Sequence, residues 1–285
     1  MPDADLEVFL VDQSDDDSTG RAVAPYCSDP RFHHVRSATR GASNARNVGI
    51  GASVAQIIAF TDDDCRVAAN WTARIAGLFD QDPRADIVFG RVSVPEELRT
   101  KGSAADFEPH QREHHHRFPS ADVAWGISAN MSVRRSLLET VGTFDPFLGP
   151  GSPFFAGEEC DLMIRALAAG FKVVNAAEVE VIHLGVREGA DASRLFRGYG
   201  VAMGATLAKH VRLGTRESVR LLLSWATHFG SRGLRNALCG QRPTGLGLFG
   251  GMLAGVCRSV TRPIDRTHGI YTTLPHVGLR LKPRR

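Results

Sequence analysis

Four short apolar runs, each closed by a polar turn, constrain this 285-residue chain most: LEVFLVD (6–12), IIAFTDDD (57–64), DIVFGRV (86–92) and FKVVNAAEVEVIH (171–183). Their length and β-branched content read as buried strands. Between them lie segments with helical spacing: GASNARNVGIGASVA (41–55), NWTARIAGLFDQ (70–81), RRSLLETVG (134–142) and GEECDLMIRALAAG (157–170). Several are closed by a glycine suited to a helix C-terminus. Strands alternating with helices predict an α/β domain, a mostly parallel sheet covered by helices on both faces. In such sheets ligands collect at the carboxyl ends of the strands.

That rule gives meaning to Asp62, Asp63 and Asp64, which follow the strand at 57–61. An aspartate there can simply cap the helix that starts near Asn70. Three adjacent carboxylates, however, repel one another unless a cation neutralises them. Oxygen ligands suit Mg²⁺ or Mn²⁺, hard ions that bridge protein carboxylates to substrate phosphates.

Composition excludes several other classes. With 43% apolar residues the chain can bury a sizeable core, so disorder is not expected. Charge is divided unevenly: residues 1–193 hold 18 Lys and Arg against 29 Asp and Glu, whereas residues 194–285 hold 16 against 2. An acidic body is thus followed by a basic region. The five cysteines, Cys27, Cys65, Cys160, Cys239 and Cys257, form no CxxC pair, which argues against a zinc ribbon or a disulfide framework and for a reducing compartment. The opening MPDADLE is acidic and precedes no apolar stretch of the kind a secretory signal needs. The longest uncharged apolar run, 243–257, has 15 residues and falls short of the roughly 20 that span a bilayer.

The motifs VDQSDDDSTG, RGASNARNVGI, AFTDDDC, GISANMSVRRSLLETVGTFD, GEECDLMIRALAAGFKVV and VIHLG occur in one order over roughly residues 6–190. In that order they resemble family 2 glycosyltransferases of the GT-A fold, inverting enzymes that use nucleotide-diphosphate sugars. The resemblance implies a metal-dependent transferase; a role in cell-surface or lipid-linked glycan synthesis is expected from the basic tail alone. By that resemblance Asp62 and Asp64 match the DxD pair, with Asp64 the direct metal ligand and Asp62, beside Asp63, nearer the ribose and diphosphate. Asp12 and Gln13 match the nucleobase position, and Arg46 the nucleotide-side arginine. Glu158 and Glu159 match the family's Glu-Asp pair. The second acid there deprotonates the acceptor, and glutamate replaces the commoner aspartate. Glu158 also suits the helix dipole in a purely structural role. His183 matches a residue that completes the metal shell or touches the diphosphate. Trp125 and Asn130 fall where the family holds donor sugar and acceptor, although core packing explains Trp125 nearly as well.

The Asp161 and Arg165 pair, spaced i to i+4, is expected at the surface or just behind the site. His114, His115 and His116 are expected in a solvated loop. The family opens with a strand and helix ahead of its VDQS-like strand. This sequence starts five residues before that strand, so a truncated or degenerate, non-catalytic member is the alternative expectation, with neighbouring strand edges left unpaired. A phosphohydrolase would need an aspartyl nucleophile and an anchoring lysine, and the body offers only Lys101 and Lys172, neither in such a motif.

Residues 1–190 are therefore expected to form a nucleotide-sugar transferase domain, and 191–285 a basic helical region. In the latter, Leu221, Leu222, Trp225 and Phe229 share a helical face flanked by Arg216, Arg220 and Arg232. Such a face suits either an anionic membrane surface or the catalytic body. The expected setting is cytoplasmic, peripheral on the inner face of the plasma membrane. Expected partners are a nucleotide-diphosphate sugar, with UDP weakly favoured, and a glycan or lipid-linked acceptor. No nucleic-acid module is recognisable.

Overall fold

The computed structural model describes residues 6–102, 104–118, 126–186, 192–240 and 244–273. The chain opens with β1 (Val8–Asp12), α1 (Ser18–Val23), β2 (Phe32–Arg36) and α2 (Ala42–Ala52). It continues through β3 (Ile57–Phe60), β4 (Cys65–Val67), α3 (Trp71–Gln81), β5 (Ile87–Ser93), α4 (Glu96–Arg99) and β6 (Glu113–His115). Then come β7 (Met131–Arg134), α5 (Arg135–Val141), α6 (Glu158–Ala168) and β8 (Val173–His183). Three long helices follow, α7 (Ala192–Arg212), α8 (Arg216–Leu238) and α9 (Thr244–Val260), and a short antiparallel pair, β9 (Ile264–Asp265) with β10 (Ile270–Tyr271).

The main sheet runs β3-β7-β5-β8-β4, with β6 added beside β4 on the outer edge of β8. The alternation of strand and helix yields parallel pairing for β1 with β2 and β5 with β8. The other pairs in this sheet are antiparallel, so the sheet is mixed. Parallel partners need a long crossover. β7 instead enters from a loop and a 3-10 turn at Ser128–Asn130, and runs against both neighbours. The histidine run is not a solvated loop: Glu113–His115 forms β6, where it satisfies backbone groups on the edge of β8, and His115 Nε2 lies 3.0 Å from the Asn175 amide. Among the described residues β1 pairs only with β2, and β3 only with β7.

Both faces of the sheet are covered, which explains why its strands read as continuous apolar runs. Ile87, Phe89, Met131 and Val133 face a cluster with Leu137, Leu138, Leu162 and Ala166 of α5 and α6. Val88, Val174 and Val181 face Trp71, Ile75, Leu78 and Phe79 of α3.

The long helices are joined to this body by buried charge. Lys209 of α7, fully enclosed, lies 2.6 Å from Asp145 and 2.6 Å from Asp161, both also 0% exposed. His210 bonds Asp161 at 2.8 Å, and Arg165 bonds it at 2.9 Å, so of the two expected places for the Asp161 and Arg165 pair, the surface or just behind the acid pair, the buried one holds. Asp145 also accepts from the Tyr271 backbone N–H at 2.9 Å. Helices α7 and α9 meet through glycine. A methyl group on Gly200 or Gly204 would overlap the carbonyl oxygens of Leu248 or Met252, and one on Gly251 or Gly255 those of Arg197 or Val201. The Leu221 face of α8 turns inward: Leu221, 5% exposed, packs with Cys160, Ile164 and Leu207 beside Leu222. The apolar residues that α8 leaves outside are others, Val219, Leu223, Leu234 and Leu238.

Lys209→Ala would leave buried Asp145 without its cation and Asp161 with Arg165 alone, a change that typically removes about 3–5 kcal/mol. Urea denaturation is expected to show a midpoint lowered accordingly.

Candidate active site

Strand β3 ends at Phe60, and the turn carrying Asp62, Asp63 and Asp64 leads directly into β4. That turn is pinned from two sides. The Cys65 N–H donates to the Asp62 carbonyl at 3.1 Å, and the Leu184 N–H to the Asp64 carbonyl at 2.8 Å. Register in the β4–β8 pair sets Cys65 opposite His183. His183, distant in sequence, thereby comes to lie with its Nε2 3.4 Å from Asp64 Oδ1.

Arg46 projects from α2 into the same region. Its Nη2 donates to Asp62 Oδ1 and its Nη1 to Glu158 Oε1, each at 2.9 Å, and its guanidinium sits 5.6 Å from the centre of the Phe144 ring. Burial opposes the arginine's charge, but the carboxylates of Glu158 and Asp62 outweigh it and hold its pKa above the ordinary value. Arg46 is thus no exposed helix charge. It joins the aspartate turn to the start of α6, two segments about a hundred residues apart in the chain.

Glu158 is 3% exposed and also accepts from Ser128 Oγ at 3.3 Å. In its neighbour Glu159, Oε2 is buried without a hydrogen-bond partner. Burial, and after it the charge of Glu158, push the Glu159 carboxyl well above the usual carboxylate range. Burial, with Glu158 beside it, thus favours the protonated form of Glu159. A carboxylate made this basic accepts a proton more readily than a solvated one.

The remaining expected residues divide. Asp12, at the end of β1, accepts from the Ser14 N–H at 2.8 Å, the Ser14 hydroxyl at 2.6 Å and pairs with His34 Nε2 at 2.9 Å. The Ser14 bonds, followed by His34, hold its carboxyl far below the usual range. Gln13 Nε2 donates to Thr39 Oγ1 and the Gly41 carbonyl at 3.1 and 3.2 Å. Both residues shape the loop that follows β1. Asp63 is exposed beside its neighbours. Asn130 does not face a sugar: it is 1% exposed, its Oδ1 accepts from Trp71 Nε1 at 3.0 Å, and its Nδ2 donates to the carbonyls of Arg91 and Val179. An amide in such a core must bond its neighbours, and these three bonds tie α3 to the sheet. Trp125 lies outside the described residues.

For a cation, the structure groups Asp64, Cys65 and His183, with one donor atom of each within 4.8 Å of the others. Asp62, expected as a metal ligand, is turned instead to the Arg46 guanidinium. Only glycine fits at 185, since a methyl group there would overlap the Asp64 carboxylate. The donor set of carboxylate, imidazole and thiol fits a divalent cation. Sequence reasoning noticed Cys65 only as a cysteine, because nothing in the chain order reveals that β4 sets it across from His183.

The raised Glu159 pKa has a consequence for stability. A group whose folded pKa exceeds its unfolded value stabilises fully below the unfolded pKa and loses that contribution as pH rises toward the folded one. Glu159→Gln is therefore expected to match wild type near pH 4 and to become progressively more stable than it toward alkaline pH, as read by urea denaturation across that range.

Comparison with known proteins bears on the fold that carries this site. Residues 2–142 match the family model described as Glycosyl transferase family 2. The pre-mycofactocin glycosyltransferase of Mycobacterium tuberculosis is 29% identical over 180 residues, 59% of this chain and 35% of that protein, so the chain spans about a third of the length of this curated relative. The mannosyltransferase PcManGT from Pyrobaculum calidifontis, in complex with GDP-Man and Mn²⁺, superposes with a TM-score of 0.55 at 15% identity, covering 90% of this chain and 78% of that one. TarS 1-349 of S. aureus in complex with UDP-GlcNAc gives a TM-score of 0.50 at 15% identity, over 69% and 56% of the two chains. At these identities the two structures share the fold with this chain. The family match over residues 2–142 and the shared fold agree with the order of motifs along the sequence: over that segment the chain is similar to glycosyl transferase family 2, and its fold is that of the GT-A enzymes it superposes on.

Proposed function

We propose that the chain moves a sugar, with inversion, from a nucleotide-diphosphate donor to a hydroxyl acceptor. Glu159, once ionised, takes the acceptor proton as the hydroxyl oxygen attacks the anomeric carbon. The bond from that carbon to the diphosphate oxygen breaks, and the nucleotide diphosphate leaves with the electron pair. A divalent cation, Mn²⁺ or Mg²⁺, held by Asp64 and His183, supplies Lewis-acid stabilisation of the departing diphosphate when bound. Arg46, Asp62 and Glu158 fix the turn and the acid pair relative to each other, and Asp12, Gln13 and Asp63 line the nucleotide side. The observation that carries the reading is the pair of Arg46 bonds, which brings the aspartate turn and the two glutamates into one site. The GDP-Man and UDP-GlcNAc named for the two structural neighbours support a nucleotide-sugar donor.

Asp64→Ala and Glu159→Gln are each expected to lower transfer by about 10²-fold or more. Glu159→Gln is expected to leave calorimetric binding of the nucleotide unchanged, and titration with UDP and GDP in the presence of Mn²⁺ identifies the base. Undiminished turnover in Glu159→Gln would remove its assignment as base.

The acceptor we favour is a glycan on a lipid carrier, reached at an anionic membrane surface. No helix among the described residues is long and apolar enough to cross a membrane. Leu223, Leu234 and Leu238, the last 80% exposed, share the outer side of α8 with Arg216 and Arg220 by helical spacing, an arrangement suited to an anionic interface. Flotation with phosphatidylserine vesicles is expected to carry the chain, neutral vesicles are not, and Leu234→Asp with Leu238→Asp should abolish the effect.

A further inference from the structure

The pairing of β4 with β8 sets a thiol where the sequence suggested only oxygen and nitrogen ligands. Cys65 and His183 are directly opposite in register, so their side chains leave the sheet on the same face. Asp64 adjoins Cys65 in the turn, with Cys65 Sγ 3.8 Å and His183 Nε2 3.4 Å from the same carboxylate atom, Asp64 Oδ1. A tetrahedral zinc site with Zn–S near 2.3 Å and Zn–N and Zn–O near 2.0–2.1 Å has donor-to-donor edges of about 3.3–3.6 Å. The observed separations are within a few tenths of an ångström of those edges. Gly185 lets the Asp64 carboxylate lie against the backbone beside His183, and His183, with 12% of its side chain exposed, is held in place by burial.

We propose that Cys65 is a ligand of this cation site, which makes the site selective for a borderline cation, Zn²⁺ or its spectroscopic substitute Co²⁺, over Mg²⁺ and Mn²⁺. The inference rests on the metal-dependent reading of the site and changes which metal it takes. Magnesium and manganese favour carboxylate, carbonyl and water oxygen, whereas thiolate and imidazole favour zinc. One carboxylate, one imidazole and one thiolate leave a fourth position open, the pattern of a catalytic rather than a structural zinc site. On binding, the Cys65 thiol releases its proton to solvent and the sulfur lone pair is donated to the cation; no oxidant or reductant takes part.

The test is titration of the full chain with CoCl₂, followed by near-ultraviolet absorption and calorimetry. Wild type is expected to show a thiolate-to-cobalt charge-transfer band at one equivalent, with cobalt and zinc binding at least tenfold tighter than manganese. Cys65→Ser should lose the band and most of the zinc preference while retaining weak manganese binding. A band that survives in Cys65→Ser would belong to Cys27, Cys160, Cys239 or Cys257 and overturn the assignment. Cobalt bound by wild type without the band, and lost in Asp64→Ala, would overturn it too, while leaving the carboxylate and histidine site standing. Absence of binding by cobalt, zinc and manganese, alone and with UDP or GDP, would refute both the thiol ligand and the metal-dependent reading.

Discussion

The charge on Asp161 is the constraint around which the rest of this structure is arranged. A carboxylate removed from water in the first turn of α6 is untenable alone, and burial by itself would drive its proton back on. Lys209, Arg165 and His210 reverse that balance and hold the carboxyl far below the usual range. Two of those three partners stand on α7, in the basic region that composition set apart from the acidic body. Asp161 lies two residues after Glu159, so the same cluster that joins α7 to α6 also fixes where the acid pair stands. Burial in turn keeps His210 below its ordinary pKa, which leaves Lys209 and Arg165 as the cations of the cluster.

A second bridge, Arg46, acts across the other side of the acid pair. Its two bonds hold the acid pair against the aspartate turn: Glu158 faces the guanidinium, and burial, followed by the neighbouring Glu158, raises the Glu159 carboxyl above the usual range. Replacement of the family's commoner aspartate by glutamate at 159 is to be weighed in this setting. The longer side chain carries its Oε2 to a buried position with no hydrogen-bond partner, so the extra methylene alters its surroundings as well as its reach.

Much of this was legible in the chain. Apolar runs at 57–61, 86–92 and 171–183 gave strands, and the helical spacing of 70–81 and 157–170 gave α3 and α6, because burial on both faces leaves an unmistakable composition. The family motifs brought Asp62, Asp64, Arg46, Glu158 and His183 to one neighbourhood. What escaped depended on register and on partners remote in sequence. Cys65 acquires its importance only from the residue opposite it, and Asn130 looks like a sugar contact until Trp71, Arg91 and Val179 are seen to take its amide. The Leu221 face of α8 has the pattern of an interfacial helix, yet the same pattern serves burial against α6 and α7. Periodicity reports that a face is apolar and says nothing of what covers it.

The glycine contact between α7 and α9 reaches beyond its small area. Four carbonyl oxygens sit directly over Gly200, Gly204, Gly251 and Gly255, so the helices mesh backbone to backbone like two toothed racks. Side chains could yield by changing rotamer, but here the interlocking parts are main-chain atoms. Sliding by one residue, about 1.5 Å along the axis, would drive a carbonyl into a Cα that bears a side chain. Helix α7 is thereby indexed along its own length, and with it the height at which Lys209 meets Asp161. A stretch of glycine that reads as featureless in the sequence acts as the ruler for the first turn of α6.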